Sequence, residues 1–466
     1  MAFSVNTVAL LALVFLLSAY LKRRTTKRPP LPPGPPADPF IGHLRIMPSD
    51  QQELVFHEWA KTYGDVMHLK VFGHDIIVLD SVQAATELLE KRSALYSDRP
   101  NFTVYTTMGW DHNVAFFPYG RRFRKHRKLL QSYLSQQFTV KFRPIQEFNA
   151  RYLAKGLVEN TRDFKYYISR YTISVIMRIA YGHQILSDDD EYMPLVENVA
   201  YAQNNGGPPG GTIAEGTAER SFLRTQMESM SGKDLTDEDI QDLKGSAGVL
   251  FAAGFDTTSS SLETFVLALL HHPDVQKRGQ EEFDRVIGDR LPTFEDYDAL
   301  PYAGRVTMEV LRWHPSAPLG VPHRAMEDDI YRGMFIPKGA IIIPNAKGMN
   351  LDGNVYTKPT EFNPDRFLRK SEGGNEEPPP VATFGFGRRI CPGRHLAATN
   401  LWIAVATIFA TVNITKAKDE GGNEITPEII FESGVTSRPK AFSCNIVPRS
   451  EKMIRIVASE SKNPSM

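Results

Sequence analysis

Residues 384 to 393 read FGFGRRICPG, and one of the chain's two cysteines sits among these glycines and arginines. Gly385, Gly387 and Gly393 permit turn conformations and close backbone approach that a side chain would obstruct. Backbone N–H groups bent around a sulfur favour its anionic form, and Arg388 and Arg389 add positive charge beside Cys391. GRHLAATNLWIAVATIFA runs on as a helical pattern whose N-terminus also favours an anion at the cysteine. A large, flat, anionic cofactor with a metal centre needs this combination: a thiolate for the metal, glycine for clearance and arginine for carboxylate groups. Cys444 has no such surroundings and reads as structural.

Further constellations lie upstream. In GSAGVLFAAGFDTTSSSLETFVLALLHHP an apolar helical run is interrupted by Gly254, Asp256, Thr257 and Thr258. A mid-helix glycine costs about 1 kcal/mol relative to alanine and an acid on a buried face costs more, so something must compensate for both. Glu309 and Arg312, in MEVLRWHP, stand at i and i+3 on one helical turn, and PDRF at 364–367 brings Arg366. The run RRFRKHRKLL at 121–130 reads on its own as a solvated basic helix or a nucleic-acid patch.

Phe384, Gly387, Arg389, Cys391 and Gly393 resemble the haem-binding loop of the cytochrome P-450 family, Phe-x-x-Gly-x-Arg-x-Cys-x-Gly. The resemblance implies haem b, with Cys391 as the axial thiolate on its iron and Phe384, Arg389 and Gly393 in the cofactor loop. It implies that residues 253–258 belong to the oxygen-activating helix, with Gly254 opening a groove for dioxygen and Asp256 and Thr257 delivering protons. Glu309, Arg312 and Arg366 become a triad that supports the cysteine loop. Arg127 is implied as a haem propionate contact, with Phe123 standing where tryptophan is usual, which removes an indole N–H donor. His323, in GVPHR, is implied as another. The basic residues Arg124, Lys125 and Lys128 are offered to an acidic redox partner, and Ala253, Leu319, Val321 and Val435 to the substrate pocket. NADPH–cytochrome P-450 reductase is the implied electron source, so NADPH is used only indirectly. Cytochrome b5, a small apolar substrate and O2 complete the implied partners.

Such sites need elements to position them. With 466 residues, 42% of them hydrophobic, the chain can bury a large core. Lys plus Arg equals Asp plus Glu at 54 each, which gives no global argument for nucleic acid. Two cysteines make no disulfide framework and fit a reducing compartment. Helical patterns dominate at 122–137, 166–182, 240–272, 275–287 and 393–410, while strand-like runs are few, chiefly VMHLKVFGHDIIVLD at 66–80 with its turn at Gly73. This is a mainly α fold with a minor β-sheet region, and the resemblance makes it the cytochrome P-450 fold. Low-complexity stretches are confined to 29–36, 204–212 and the polar tract at 371–380.

Residues 1–21 carry no charged side chain and, as a helix, just span a hydrocarbon core of roughly 30 Å. KRRTTKR follows at 22–28, which places the rest of the chain on the cytosolic side. The expectation is a single-pass N-terminal anchor in the endoplasmic reticulum membrane, with a cleaved signal peptide as the competing reading. A basic, proline-rich hinge at 22–36, stiffened by PPLPPGPP, should lead into a haem-thiolate monooxygenase domain at 37–466. Against the family, the chain between Tyr181-Gly182 and the oxygen-side helix is short by some tens of residues, about two to three average helices. The join falls near 206–216 and implies a shortened lid over the substrate channel. The reading is a membrane-bound monooxygenase that inserts one oxygen atom of O2 into an apolar organic substrate, in fungal secondary metabolism or xenobiotic oxidation. In character it resembles the fungal microsomal, O-methylsterigmatocystin oxidoreductase-like members. Three alternatives stay open: an oxygen-independent haem-thiolate isomerase or dehydratase, a catalytically impaired haem-binding relic, and a nucleic-acid binder built on 121–128.

Overall fold

The computed structural model describes residues 28–101, 103, 112–159, 163–187, 189–190, 192–193, 221–230 and 236–461, together with Val14. The predicted anchor at 1–21, Val14 apart, and the predicted join at 206–216 lie outside the described residues. No described helix is long and apolar enough to cross a membrane.

Among the described residues, helices of eight or more residues are α1 (Gln52–Tyr63), α2 (Arg121–Tyr133), α3 (Arg143–Glu159), α4 (Phe164–Tyr181), α5 (Phe222–Ser229), α6 (Asp237–His271), α7 (Pro273–Val286), α8 (Pro301–Trp313), α9 (Arg394–Thr411) and α10 (Glu451–Glu460). The strands are β1 (Val66–Val71), β2 (His74–Leu79), β3 (His323–Arg324), β4 (Asp329–Tyr331), β5 (Met334–Ile336), β6 (Ile341–Pro344), β7 (Val412–Lys418), β8 (Glu424–Ile425) and β9 (Cys444–Pro448). The mainly α expectation therefore holds.

α6 is the axis of the molecule, about 50 Å long at 1.5 Å per residue. It starts with a capping box in which the Thr236 side chain accepts from the Asp239 N–H and the Asp239 side chain accepts from the Thr236 N–H. Every residue from Thr258 to Leu270 is buried, as expected of a helix that is apolar on all sides. α4 lies along it, and α3 and α9 pack in turn on α4 and α6. The helix α3 went unseen in the sequence because Pro144 and Gly156 blur its periodicity. α2 stops at Tyr133, short of the expected end, because the Ser135 side chain accepts from the Phe138 N–H and starts a separate turn.

β1 and β2 form the expected hairpin through Phe72 and Gly73, both at positive φ (46° and 85°), the handedness that matches the twist of paired strands. The main sheet has the order β1-β2-β6-β3, with β2 and β6 parallel. The proline-rich segment does not stand clear of the body as a hinge. The His68 N–H donates to Pro33 O at 2.9 Å and the Phe335 N–H to Pro30 O at 2.7 Å, while His43 Nε2 lies 2.8 Å from Pro35 O. Prolines have no N–H to give, but their carbonyls accept, and residues 30–35 belong to the folded unit.

The basic run on α2 is divided by the helix. Arg122 Nε donates to Asp242 Oδ1 at 2.8 Å, and Lys125 Nζ to Asp242 Oδ2 and Asp239 Oδ1, both at 2.7 Å. Beneath them His126 Nε2 lies 2.9 Å from Asp242 Oδ1. Lys125, expected to face a redox partner, is instead part of a clamp between α2 and α6. Arg121, Arg124 and Lys128 stay exposed. Burial pushes the Asp242 carboxyl up, but bonds from Lys125, His126 and Arg122 outweigh that and hold it at about 2. A carboxyl lowered on folding stabilises the native state above its unfolded pKa and loses that contribution as pH falls through the folded value. Asp242→Asn should therefore cost about 1–3 kcal/mol near neutral pH, less than a wholly buried pair because Arg122 and Lys125 are about a third exposed. In urea melts the gap to the parent should narrow between about pH 4 and pH 2.

Candidate functional site

The loop before α9 is wound by two short turns, Val381–Phe384 and Gly387–Arg389, and is closed by the Cys391 N–H, which donates to Phe384 O at 2.8 Å. Gly387 has φ 57°, and a Cβ there would lie 2.0 Å from Leu89 O. That carbonyl belongs to a π-helical turn, Thr86–Lys91, a form often found beside functional sites. Burial pushes the Cys391 thiol up, whereas the N–H groups of Gly393 and Arg394 and the charges of Arg127 and Arg394 pull it down. Burial outweighs them, and the thiol stays above its ordinary value. Arg127 reaches across from α2 and donates to Ile390 O. Cys444 sits on β9, opposite Lys416 of β7.

Two guanidiniums and an imidazole are buried together behind this loop. Arg389 Nε donates to Ser97 O at 2.8 Å and Nη2 to Phe117 O at 2.7 Å, and its guanidinium lies 3.6 Å from the centroid of the Phe123 ring. Phe123 offers no N–H, but its face holds the cation. His323 Nδ1 is 2.7 Å from Tyr96 O, a contact that puts the ring proton on Nδ1. The third member, Arg99, donates to Val321 O at 2.7 Å, Pro322 O at 2.8 Å and Ala115 O at 2.8 Å. Nothing in its local sequence, YSDRPNF, marks it. Burial drives Arg99 well down and the charge of Arg389 adds to this; Arg389 itself falls to about 10, first through burial. Burial, then Arg99, keeps His323 neutral. Asp98, whose charge reaches both arginines, is already engaged by Arg324 Nε at 2.9 Å and the Tyr119 N–H at 2.7 Å. Buried guanidiniums bonded only to carbonyls call for an anion.

On α6, Ala253 is exposed although the helix around it is largely buried, which marks open space beside it. Thr257 Oγ1 donates to Ala253 O at 2.7 Å, and Asp256 pairs with Arg438. At Gly254 a Cβ would lie 2.8 Å from Ile176 Cδ1, so its bareness also lets α4 approach α6. Of the other expected pocket residues, Val321 gives its carbonyl to Arg99, Leu319 packs on the small core of Phe56, Met67, Leu69 and Val78, and Val435 is half exposed. The triad is assembled as expected. Glu309 accepts from Arg312 Nε and Nη2, both at 2.8 Å, and from Arg366 Nε at 3.0 Å to each oxygen.

The family description Cytochrome P-450 matches residues 32–205 and 211–443. The chain belongs to the cytochrome P-450 family. Its similarity extends to cytochrome P-450 monooxygenase 136 of Postia placenta, 36% identical over an alignment of 495 positions that covers 95% of this chain and 93% of the relative. Cytochrome P-450 monooxygenase claR of Ampulloclitocybe clavipes is 34% identical, covering 97% and 92%. A solved structure of a zebra fish cytochrome P-450 with abiraterone superposes with a TM-score of 0.73 at 24% identity, over 85% of this chain and 100% of that one. The protein is thus a cytochrome P-450 monooxygenase, and the family's cofactor is a haem with thiolate-ligated iron.

Gly387 is the position at which the cytochrome P-450 loop tolerates least. Gly387→Ala combines a left-handed conformation, costing about 1–2 kcal/mol for a residue with Cβ, with a backbone clash at Leu89. A loss of about 2 kcal/mol or more is expected, together with reduced haem uptake. Thermal melts and the haem-to-protein absorbance ratio check it.

Proposed function

We propose that Cys391 is the axial ligand, that Arg99, Arg127, His323 and Arg389 receive the haem carboxylates, and that Phe384 and Gly393 shape the loop around the cofactor. The observation that carries this reading is the buried Arg99–His323–Arg389 group, which has carbonyl partners and no free carboxylate of its own. Bound haem supplies the activation of dioxygen and the transfer of one oxygen atom to a carbon–hydrogen bond. This chain's residues bind, orient and handle protons. The Thr257 hydroxyl gives its hydrogen to Ala253 O and so keeps its lone pairs to accept from a water. Asp256 and Arg438 are each about a third exposed, so the pair reaches solvent. An apolar substrate would lie beside Ala253.

In the same proposal, electrons from NADPH arrive through a flavoprotein reductase, with cytochrome b5 as a further donor. Supporting it is an open concavity of about 740 Å³ on the outer side of the cysteine loop, lined by Arg124, Arg127, Lys128 and Arg388 with Glu90 the one acid. Such a face steers an acidic partner. Endoplasmic reticulum attachment, with the body in the cytosol, rests on the apolar and basic residues of 1–28. Phe40 and Phe72, 98% and 63% exposed, add apolar surface near that end of the chain. A short roof over the substrate channel is supported by the break in the family match between 205 and 211. The 495-position alignment to the Postia relative, longer than this chain, supports it too. Fungal secondary metabolism or xenobiotic oxidation is supported by the fungal origin of the relatives.

Two experiments test these assignments. Because a thiolate is a far stronger donor than imidazole, the reduced carbon-monoxide complex should show the long-wavelength Soret band of haem-thiolate proteins. Cys391→Ala should abolish that band and Cys444→Ala should leave it; a normal band in the first variant rejects the ligand assignment. Neutralising Arg124 and Lys128 together should slow reduction by the reductase about tenfold at low salt and flatten its salt dependence. Reduction by dithionite should be unchanged, and equal slowing with both reductants would reject docking at this face.

A further inference from the structure

The triad beneath the cysteine loop does not balance its own charge. Arg312 and Arg366 are 0% and 1% exposed, and both bind one carboxylate, Glu309. Two guanidiniums on one carboxylate leave a positive charge with no water to screen it, a costly state unless something compensates. Glu377 compensates. Its Oε2 accepts from Arg366 Nη1 at 2.6 Å and its Oε1 from the Thr357 N–H at 3.0 Å, and the side chain is 7% exposed. Burial raises its carboxyl, but the bond from Arg366 carries it below the usual carboxylate range. With Glu377 the two arginines face two carboxylates, while Lys347, half-buried beside them with its Nζ on Trp313 O, feels the charges of Arg312, Glu53 and Glu309.

The backbone is bent to bring this side chain inward. Glu376, exposed to solvent, has φ 52°, a left-handed conformation that residues with a Cβ adopt at a cost. Its N–H donates to Leu368 O at 2.9 Å, and the Glu377 N–H to Arg366 O at 2.8 Å. Strain beside a buried charge indicates that the surrounding structure imposes the position. From Glu377 the chain runs straight to the cysteine loop. Thr383 Oγ1 donates to Leu311 O of α8 at 2.9 Å, and the Cys391 N–H closes on Phe384. The segment is pinned at 377, 383 and 391.

We propose that Glu377 is a positioning residue for the Cys391 thiolate: by balancing Arg366 it fixes the start of segment 377–391 against α8 and so sets where the sulfur stands. This rests on Cys391 as the ligand, which Cys391→Ala tests separately. The experiment uses the full chain and compares Glu377→Gln, which keeps shape and removes charge, with Glu377→Asp, which keeps charge, and Glu376→Gly, which removes only the strain. One readout is the fraction of haem-loaded protein with the thiolate Soret band; the other is the alkylation rate of Cys391 in haem-free protein carrying Cys444→Ser. Glu377→Gln should lower the thiolate fraction and raise the alkylation rate, each by about tenfold. Glu377→Asp should restore most of both, and Glu376→Gly should change neither. Parent-like values in Glu377→Gln, or a lower melting temperature with both readouts unchanged, would overturn the proposal. Should Glu377→Gln yield no folded chain, Glu377→Asp decides: thiolate-ligated protein upholds the charge role, and its absence rejects it.

Discussion

Arg312 and Arg366 have no access to water, and a guanidinium can neither lose its proton nor go unpaired in such a place. Every segment that offers them a partner is thereby held still. α8 offers Glu309, while the irregular stretch that follows β6 offers the carbonyls of Asn350, Pro359 and Glu361. Much of the chain between β6 and α9 consists of turns, which on their own would be mobile. Its order comes from these few charges, and the cysteine loop is the last part of the stretch they secure.

The second buried group of cations is built the other way. Around Arg99 and Arg389 the partners are carbonyls of Ser97, Ala115, Phe117, Val321 and Pro322, which neutralise nothing. A balanced cluster needs no ligand and serves as scaffold. An unbalanced one gains from an anion, so that binding and local stability are linked through mass action. The two clusters meet through the loop that carries Arg389 and Cys391, one side of it balanced by the fold and the other with an uncompensated charge.

The cysteine loop, the long helix α6, the Glu309–Arg312 pair and the dominance of helix were all legible, because each depends on residues close in sequence that impose a local backbone shape or periodicity; Arg366, 57 residues beyond Glu309, joined them only through the family resemblance. What was not legible depends on partners far apart. Lys125 reads as a free surface charge until Asp239 and Asp242, more than a hundred residues later, lie against it. The closeness of Ile176 to Gly254 shows only in the packing of α4 on α6. Arg99 and Glu377 sit in stretches without motif or period, and only tertiary packing buries them. Gly156 and Pro144 hid α3, whose stability comes from packing rather than propensity. Phe123, a departure from the family's usual tryptophan, shows its use only where Arg389 stacks on it.

The fastening of the proline-rich segment to β1 bears on solubility. β1 ends the four-stranded sheet, and a free sheet edge is a template on which another chain can pair. Pro33 O takes up the N–H of His68, Gly34 lies so close that a Cβ would fall 2.1 Å from His68 O, and the His43 N–H closes on Lys70 O at 2.6 Å. A polypeptide rich in proline is a poor partner for a further strand, since it cannot extend the ladder outward. The segment therefore acts as a selvedge, binding off the sheet so that neighbouring molecules do not knit together edge to edge.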